Sequence, residues 1–541
     1  MNGTTTHERT DTTATLVDTT TLSPLESPSA AKSVAPFSTA NGSVASNESI
    51  IPPEHSARTL VLCFDGTGDQ FDSDNSNIVE LFSLLKKDDR AKQMVYYQAG
   101  IGTYTTPKIA TPFMAKFSKT LDEMIAWNLD AHVMDGYEFL MQNYTAGDRI
   151  CIFGFSRGAY TARSLAGMIH KVGVLPACNH QQVPFAYKMY TRTDELGWKQ
   201  SNAFKKAFSI DADIEFLGVW DTVNSVGLIP KRLPFTASNT NVRTFRHAVS
   251  LDERRAKFKA NLWNRPTARE EKLGLKHKGH SHAEGEHCDE PAGKLPEHRK
   301  PGHKGKSLKA LERKYSSVRS AATDIEEVWF AGCHCDVGGG SVSNDTKPNL
   351  ARIPLRWMIR ECFKTNTGIM FDADLLREMG LEPTSLYPVV LPRPPALPVS
   401  SSNFIQDFPN PTKTSQLQRD MSLENYSSGD VTATAVSTRR PTEEELELAD
   451  ALSPIYDQLS LKWFWWLLEF LPIRVRYQKG DDSWVSFFGW NVGRGRIIPK
   501  QKVRGVKVHR SVKMRMEARY ENGTRYVPKA TFDERYTTWV D

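Results

Sequence analysis

The chain has 541 residues, 39% hydrophobic and 24% charged, enough for one large α/β domain with insertions or for two to three average domains. Its formal net charge of +6 is too small to imply nucleic-acid binding, although the C-terminal stretch is basic. Seven scattered cysteines exclude a disulfide framework, and with neither a secretory h-region nor a run of about 18 apolar residues the expectation is a soluble, cytoplasmic chain, with peripheral membrane association left open.

Residues 1–57 are Ser/Thr-rich, lack apolar periodicity and are expected to form a disordered tail. "TLVLCFDGTGDQ" (59–70) then reads as a buried strand ending at Asp65-Gly66, and "NIVELFSLLKK" (77–87) as the helix that follows it. "MVYYQAGIGT" (94–103) is a second strand, and "LDEMIAWNLDAHVMDGYEFLMQNY" (121–144) a long helix. "ICIFGFSRGAYTARSLAG" (150–167) runs from strand into helix, and "IEFLGVWDTV" (214–223) and "EVWFAGCHCDVGGG" (327–340) add two more apolar strands. Strands alternating with helices predict an α/β fold with a mainly parallel sheet and helices on both faces. Ligands of such sheets sit beyond the carboxyl ends of the strands, where Asp65, Ser156, Asp221 and His334 fall. The expected catalytic domain is 58–395. A charged, His-rich insertion at 266–320 and a linker at 396–452 are expected to be disordered, and the aromatic and basic region 453–541 either packs on the domain or completes its sheet.

Gly154-Phe155-Ser156-Arg157-Gly158 carries the chemistry. A nucleophile on a sharp strand-to-helix turn needs small neighbours two residues either side, which is what the glycines supply. The backbone N–H of Arg157 is then a candidate oxyanion donor, and the Asp65 loop offers a second through Gly66 or Thr67, with Asp65 ordering the loop. A serine hydroxyl also needs a base and an orienting acid; Asp221 and His334 end successive strands in the Ser, Asp, His order of α/β-hydrolases. Two rivals stay open: Asp336 could orient the base or cap the glycine loop, and His509 could be the base itself. Asp-Gly-Thr after a first strand is also similar to the haloacid dehalogenase phosphatases, but the position of their nucleophilic aspartate is Cys63 here.

"DSDNSN" (72–77) lacks the glycine and distant glutamate of an EF-hand, and "CHCD" (333–336) lacks zinc-finger spacing, so neither a metal nor an organic cofactor is expected. "KWFWWLLEF" (462–470) is too short to span a bilayer; burial in the domain is the favoured reading, and insertion into an anionic lipid surface the other.

In combination, "FDGTGDQ", "NIVELF", "YYQAGIGT", "GFSRGAYTAR", "FLGVWDTVNSVG", "RHAVSLDERRAKF" and "VWFAGCHCDVGGG" resemble the catalytic domain of the type VI secretion phospholipase effectors across residues 58–395. The resemblance implies an α/β-hydrolase fold, Ser156 as nucleophile, Asp221 as acid and His334 as base, and lipase or phospholipase action on a lipid ester. A peptidase or thioesterase is the runner-up among enzymes. Outside enzymes, the alternative is a catalytically silent hydrolase fold serving as a membrane or protein interaction module.

Overall fold

The computed structural model describes residues 49–67, 69–100, 114–223, 232–264, 308–315, 322–407, 440–481 and 483–541. Strand β1 (Thr59–Phe64) is buried along its whole length. Successive side chains of a strand point to opposite faces. Leu60, Leu62 and Phe64 therefore enter one apolar cluster, and Val61 and Cys63 enter another across the sheet. Burial on both faces is why the sequence runs continuously apolar here instead of alternating.

Seven further strands join β1: β2 (Gln93–Gln98), β3 (Arg149–Phe155), β4 (Ile214–Trp220), β5 (Val242–Ser250), β6 (Asp324–Phe330), β7 (Val506–His509) and β8 (Thr537–Val540). Their order is β8-β7-β6-β5-β4-β3-β1-β2, and every neighbouring pair is parallel. The fold is thus α/β with a large parallel sheet. Helix α1 (Asn77–Ser83) packs into the cluster containing Val61, while α2 (Met114–Asn143) and α3 (Ser156–Val172) pack into the one containing Leu60. Ser76 starts α1 by accepting the Ile78 and Val79 N–H groups, the usual N-cap arrangement.

Several segments differ from the sequence reading. Order begins before residue 58, because Ile50–Ile51 pairs antiparallel with Phe371–Asp372. The strand expected to run from 327 to His334 ends at Phe330; Gly332 turns the chain at φ +106° and a helical turn follows at His334–Gly338. Within 266–320, Leu308–Tyr315 is a helix whose Leu311 packs with Trp198 and Phe235; the rest of that insertion lies outside the described residues. Within 396–452, the helix Glu443–Ala451 is closed by a Thr442/Glu445 capping box and ion-paired through Glu443 to Arg360 and Asp450 to Arg356. Residues 408–439 and the tail to residue 48 are likewise outside the description. From the C-terminal region, β7 pairs with β6 and β8 with β7, extending the sheet.

Candidate active site

Ser156 stands between β3 and α3 at φ +58°, a left-handed conformation that costs a serine backbone energy and persists only where its surroundings enforce it. The two glycines of the motif show how. A Cβ on Gly154 would lie 2.6 Å from the Ala159 Cα in α3, and one on Gly158 only 2.2 Å from the Asp65 carbonyl oxygen. Strand, helix and the Asp65 loop can meet around Ser156 only because both positions lack a side chain.

His334 Nε2 lies 2.7 Å from Ser156 Oγ, and His334 Nδ1 lies 2.5 Å from Asp221 Oδ2. Asp221, at φ +40°, follows the last residue of β4, and His334 opens the helical turn after β6. All three are buried, Ser156 to 5% exposure and Asp221 completely. Burial by itself would raise the Asp221 carboxyl, but the Arg496 charge and the His334 hydrogen bond outweigh it and hold the group well below the usual carboxylate range. An ionised carboxylate only accepts, so Nδ1 carries the imidazole proton and Nε2 is left to accept from the serine hydroxyl. Burial lowers the His334 imidazole below its ordinary value, and its bond to Asp221 only partly restores it.

Arg496 is a site residue that the sequence did not reveal. Its Nη1 donates to Asp221 Oδ1 at 2.5 Å and its Nη2 to Oδ2 at 2.9 Å, a two-pronged clamp reaching across 275 positions of sequence. The guanidinium is positioned by the Ser250 hydroxyl at 2.8 Å and the Phe258 carbonyl at 2.6 Å, and Ser250 N–H also donates to Asp221 Oδ1. Glu253, the other missed residue, accepts the His334 backbone N–H at 3.3 Å and is itself held by Arg255. Phe155 and Phe258 flank the His334 ring, with centroids 4.8 and 4.9 Å away. Arg496 sits in a basic run with no pattern to separate it from its neighbours; Glu253-Arg254-Arg255 reads as a solvated charge cluster.

The other candidates separate cleanly. Asp336 accepts from Cys333 N–H, Tyr456 N–H and the Ser341 hydroxyl, so it closes the turn that carries His334 and does not touch the imidazole's partner atoms. Burial pushes its carboxyl up to about 7 against those three bonds. His509 is not at the site: it is 1% exposed, stacks on Phe330 at 4.9 Å and bonds Ser511 at the start of another helix. Asp65 orders its loop by accepting from Ser76 Oγ (2.6 Å), Tyr97 Oη (2.8 Å) and Gly66 N–H (2.8 Å). Gly66 N–H is therefore already engaged. Thr67 is different: its hydroxyl is buried and, among the described residues, has no hydrogen-bond partner. Arg157 lies in the first turn of α3, beside Ser156.

A family model described as the catalytic domain of Tle1-like phospholipase effectors of the type VI secretion system matches residues 58–361. The chain belongs to this family. The matched span includes Ser156, Asp221 and His334, while Arg496 and the aromatic run at 462–470 lie beyond it. The uncharacterized protein YEL023C of Saccharomyces cerevisiae is 30% identical, across 89% of this chain and 83% of its own length. An uncharacterized protein of Pseudomonas aeruginosa with a crystal structure is 17% identical with a TM-score of 0.31, over 73% of this chain and 53% of its own. The Tle1 effector, solved bound to the VgrG spike of the type 6 secretion system, is 15% identical with a TM-score of 0.24, over 59% and 62%. This family member thus spans about half of the first solved chain and about three fifths of the second. Among the described residues, no helix is long and apolar enough to cross a membrane, and no group of three or more His, Cys, Asp or Glu could hold a metal ion.

Proposed function

We propose that the chain is a serine hydrolase cleaving carboxylic esters of lipids through a Ser156 acyl-enzyme. The observation that carries this reading is the unbroken hydrogen-bonded line from Ser156 Oγ through His334 to Asp221, at 2.7 and 2.5 Å, with Ser156 held at a positive φ. Membership of a phospholipase-effector family supports the lipid ester as substrate class.

In this mechanism His334 Nε2 takes the Ser156 hydroxyl proton as Oγ bonds to the ester carbonyl carbon. Asp221 keeps the imidazole in the required tautomer and faces the imidazolium that forms. The oxyanion is met by Arg157 N–H and by Thr67, whose buried hydroxyl has no hydrogen-bond partner among the described residues, which supports this assignment. Gly66 takes no part, since its N–H is given to Asp65. The tetrahedral intermediate collapses by breaking the bond to the alcohol oxygen, which leaves with the proton from His334. Water then gives a proton to His334 Nε2 and attacks the acyl carbon; the second collapse releases the fatty acid and returns the proton to Ser156 Oγ.

A fluorophosphonate probe tests the reading: wild-type protein is expected to be labelled and Ser156→Ala to stay unlabelled. Folded wild-type protein that resists the probe would remove the hydrolase assignment.

A further inference from the structure

The aromatic run at 462–470 is not buried as the favoured reading of the sequence had it. Trp463 is 75% exposed, and Phe464 and Phe470 are also exposed. The hairpin that follows, Ile473–Gln478 with Trp484–Gly489, adds Phe488 at 77% exposure, and Trp490 just after it is exposed as well. These two groups are fastened together from beneath. The buried carboxylate of Glu469 accepts from Asn491 Nδ2 at 2.5 Å and Gly493 N–H at 2.9 Å, placing the helix beside the end of the hairpin, and from Ala256 N–H at 2.5 Å, tying both to the 254–258 segment. Isolated exposed aromatics are ordinary; a cluster of this size built around one buried anchor marks an interaction surface.

Two observations select the partner. The first is continuity with the candidate active site: Trp465, in the same short helix, packs edge-on against Phe258 at 5.6 Å, and Phe258 packs against the His334 ring at 4.9 Å. The apolar surface therefore leads directly to the base. The second is charge. Residues 462–504 contain nine Lys or Arg and three Asp or Glu; setting aside the buried Arg496, Lys500 and Glu469 leaves seven cations against two acids. Lys462 beside Trp463, Lys479 in the hairpin turn and Arg494, which lies over the Phe487 ring, are all exposed. Exposed tryptophan and phenylalanine set among cations suit the headgroup boundary of an anionic bilayer, where rings enter the acyl edge and cations meet phosphate or carboxylate.

We infer that the Trp463–Phe470 segment and the hairpin end at Phe488–Trp490 form a docking surface for an anionic lipid bilayer, continuous with the approach to Ser156. The inference rests on the lipid-ester reading for its direction toward the triad, but its binding step is independent of catalysis.

Flotation of the full chain with vesicles of phosphatidylcholine, with and without phosphatidylserine, tests it. Wild-type protein is expected to float with the serine-containing vesicles and to be released by high salt. A Trp463→Ser/Trp490→Ser double variant, confirmed folded by an unchanged unfolding midpoint, is expected to lose at least about tenfold in partitioning, since burying one aromatic at an apolar boundary is worth at least that factor. Lys462→Ser/Arg494→Ser is expected to lose the preference for phosphatidylserine. Ser156→Ala should float like wild type, so failure of the hydrolase reading leaves this result standing. Unchanged flotation of the folded tryptophan variant would overturn the inference. So would a wild-type dimer in sedimentation velocity that the variant abolishes while neither protein binds vesicles, because the surface would then be a contact between copies.

Discussion

Replacing Arg496 by methionine removes the cation that lets a fully buried carboxylate exist at Asp221. Wild-type Asp221 accepts from Nη1 and Nη2 of Arg496, from Ser250 N–H and from His334 Nδ1. Methionine fills similar volume but deletes both guanidinium bonds and leaves the charge without its counter-ion. Breaking a buried pair from one side costs about 3–5 kcal/mol, and the Phe258 carbonyl and Ser250 hydroxyl lose their donor as well. The pH dependence identifies the cause. In wild type the folded-state pKa of Asp221 lies below the unfolded value of about 4, so the pair contributes stability above roughly pH 4 and loses it as the pH falls further. In the variant the burial that Arg496 offset dominates, the folded-state pKa rises above the unfolded value, and Asp221 destabilises the protein as pH increases. The gap between the two proteins therefore widens as the pH rises, from pH 4.5 towards pH 8. Urea unfolding at pH 4.5, 6 and 8 measures it. Arg496→Lys, which keeps a charge without the two-pronged geometry, is expected to fall between them. A deficit under about 1 kcal/mol at pH 8, or one that does not change with pH, would mean that Arg496 is not what keeps Asp221 ionised.

Thr67→Val removes a buried hydroxyl that satisfies nothing in the described structure, so stability should change by less than about 1 kcal/mol while kcat on a short-chain ester falls about 10²-fold; an unchanged kcat would take Thr67 out of the oxyanion site. Gly158→Ala places a Cβ 2.2 Å from the Asp65 carbonyl and should cost about 1–3 kcal/mol in unfolding together with probe labelling at Ser156. His334→Ala should abolish ester turnover, whereas His509→Ala should destabilise the protein by removing its stack on Phe330 and retain turnover; the opposite pattern would move the base.

The readable parts of the fold were those where one physical rule acted alone. β1 and β3 are apolar beyond their first residues because both sheet faces are covered, and the motif glycines mark where strand, helix and loop close around Ser156. The same strand-end logic put Ser156, Asp221 and His334 at one edge of the sheet, where the structure has them in hydrogen-bonding contact. β5 is not legible in the sequence because Arg246 and His247 interrupt its apolar run. Both are buried in the fold, Arg246 paired with Glu361 and Asp324, and His247 with Glu327. Pairing across 115 residues is invisible to a local pattern, and Arg496 on Asp221 is the same problem at greater range. The strand expected to end at His334 stops at Phe330, since Gly332 reverses the backbone and Asp336 folds the next residues into a turn. That turn is what brings His334 to face Ser156.

The proposed hydrolase works only if Ser156 becomes acylated. Rapid quenching of wild-type protein with an excess of a p-nitrophenyl ester, followed by peptide mass mapping, tests it most directly. A burst of nitrophenol matching the enzyme concentration is expected, with an acyl mass on the peptide containing Ser156 that is absent from Ser156→Ala. An acyl group on another residue, or turnover that persists in Ser156→Ala, would contradict it.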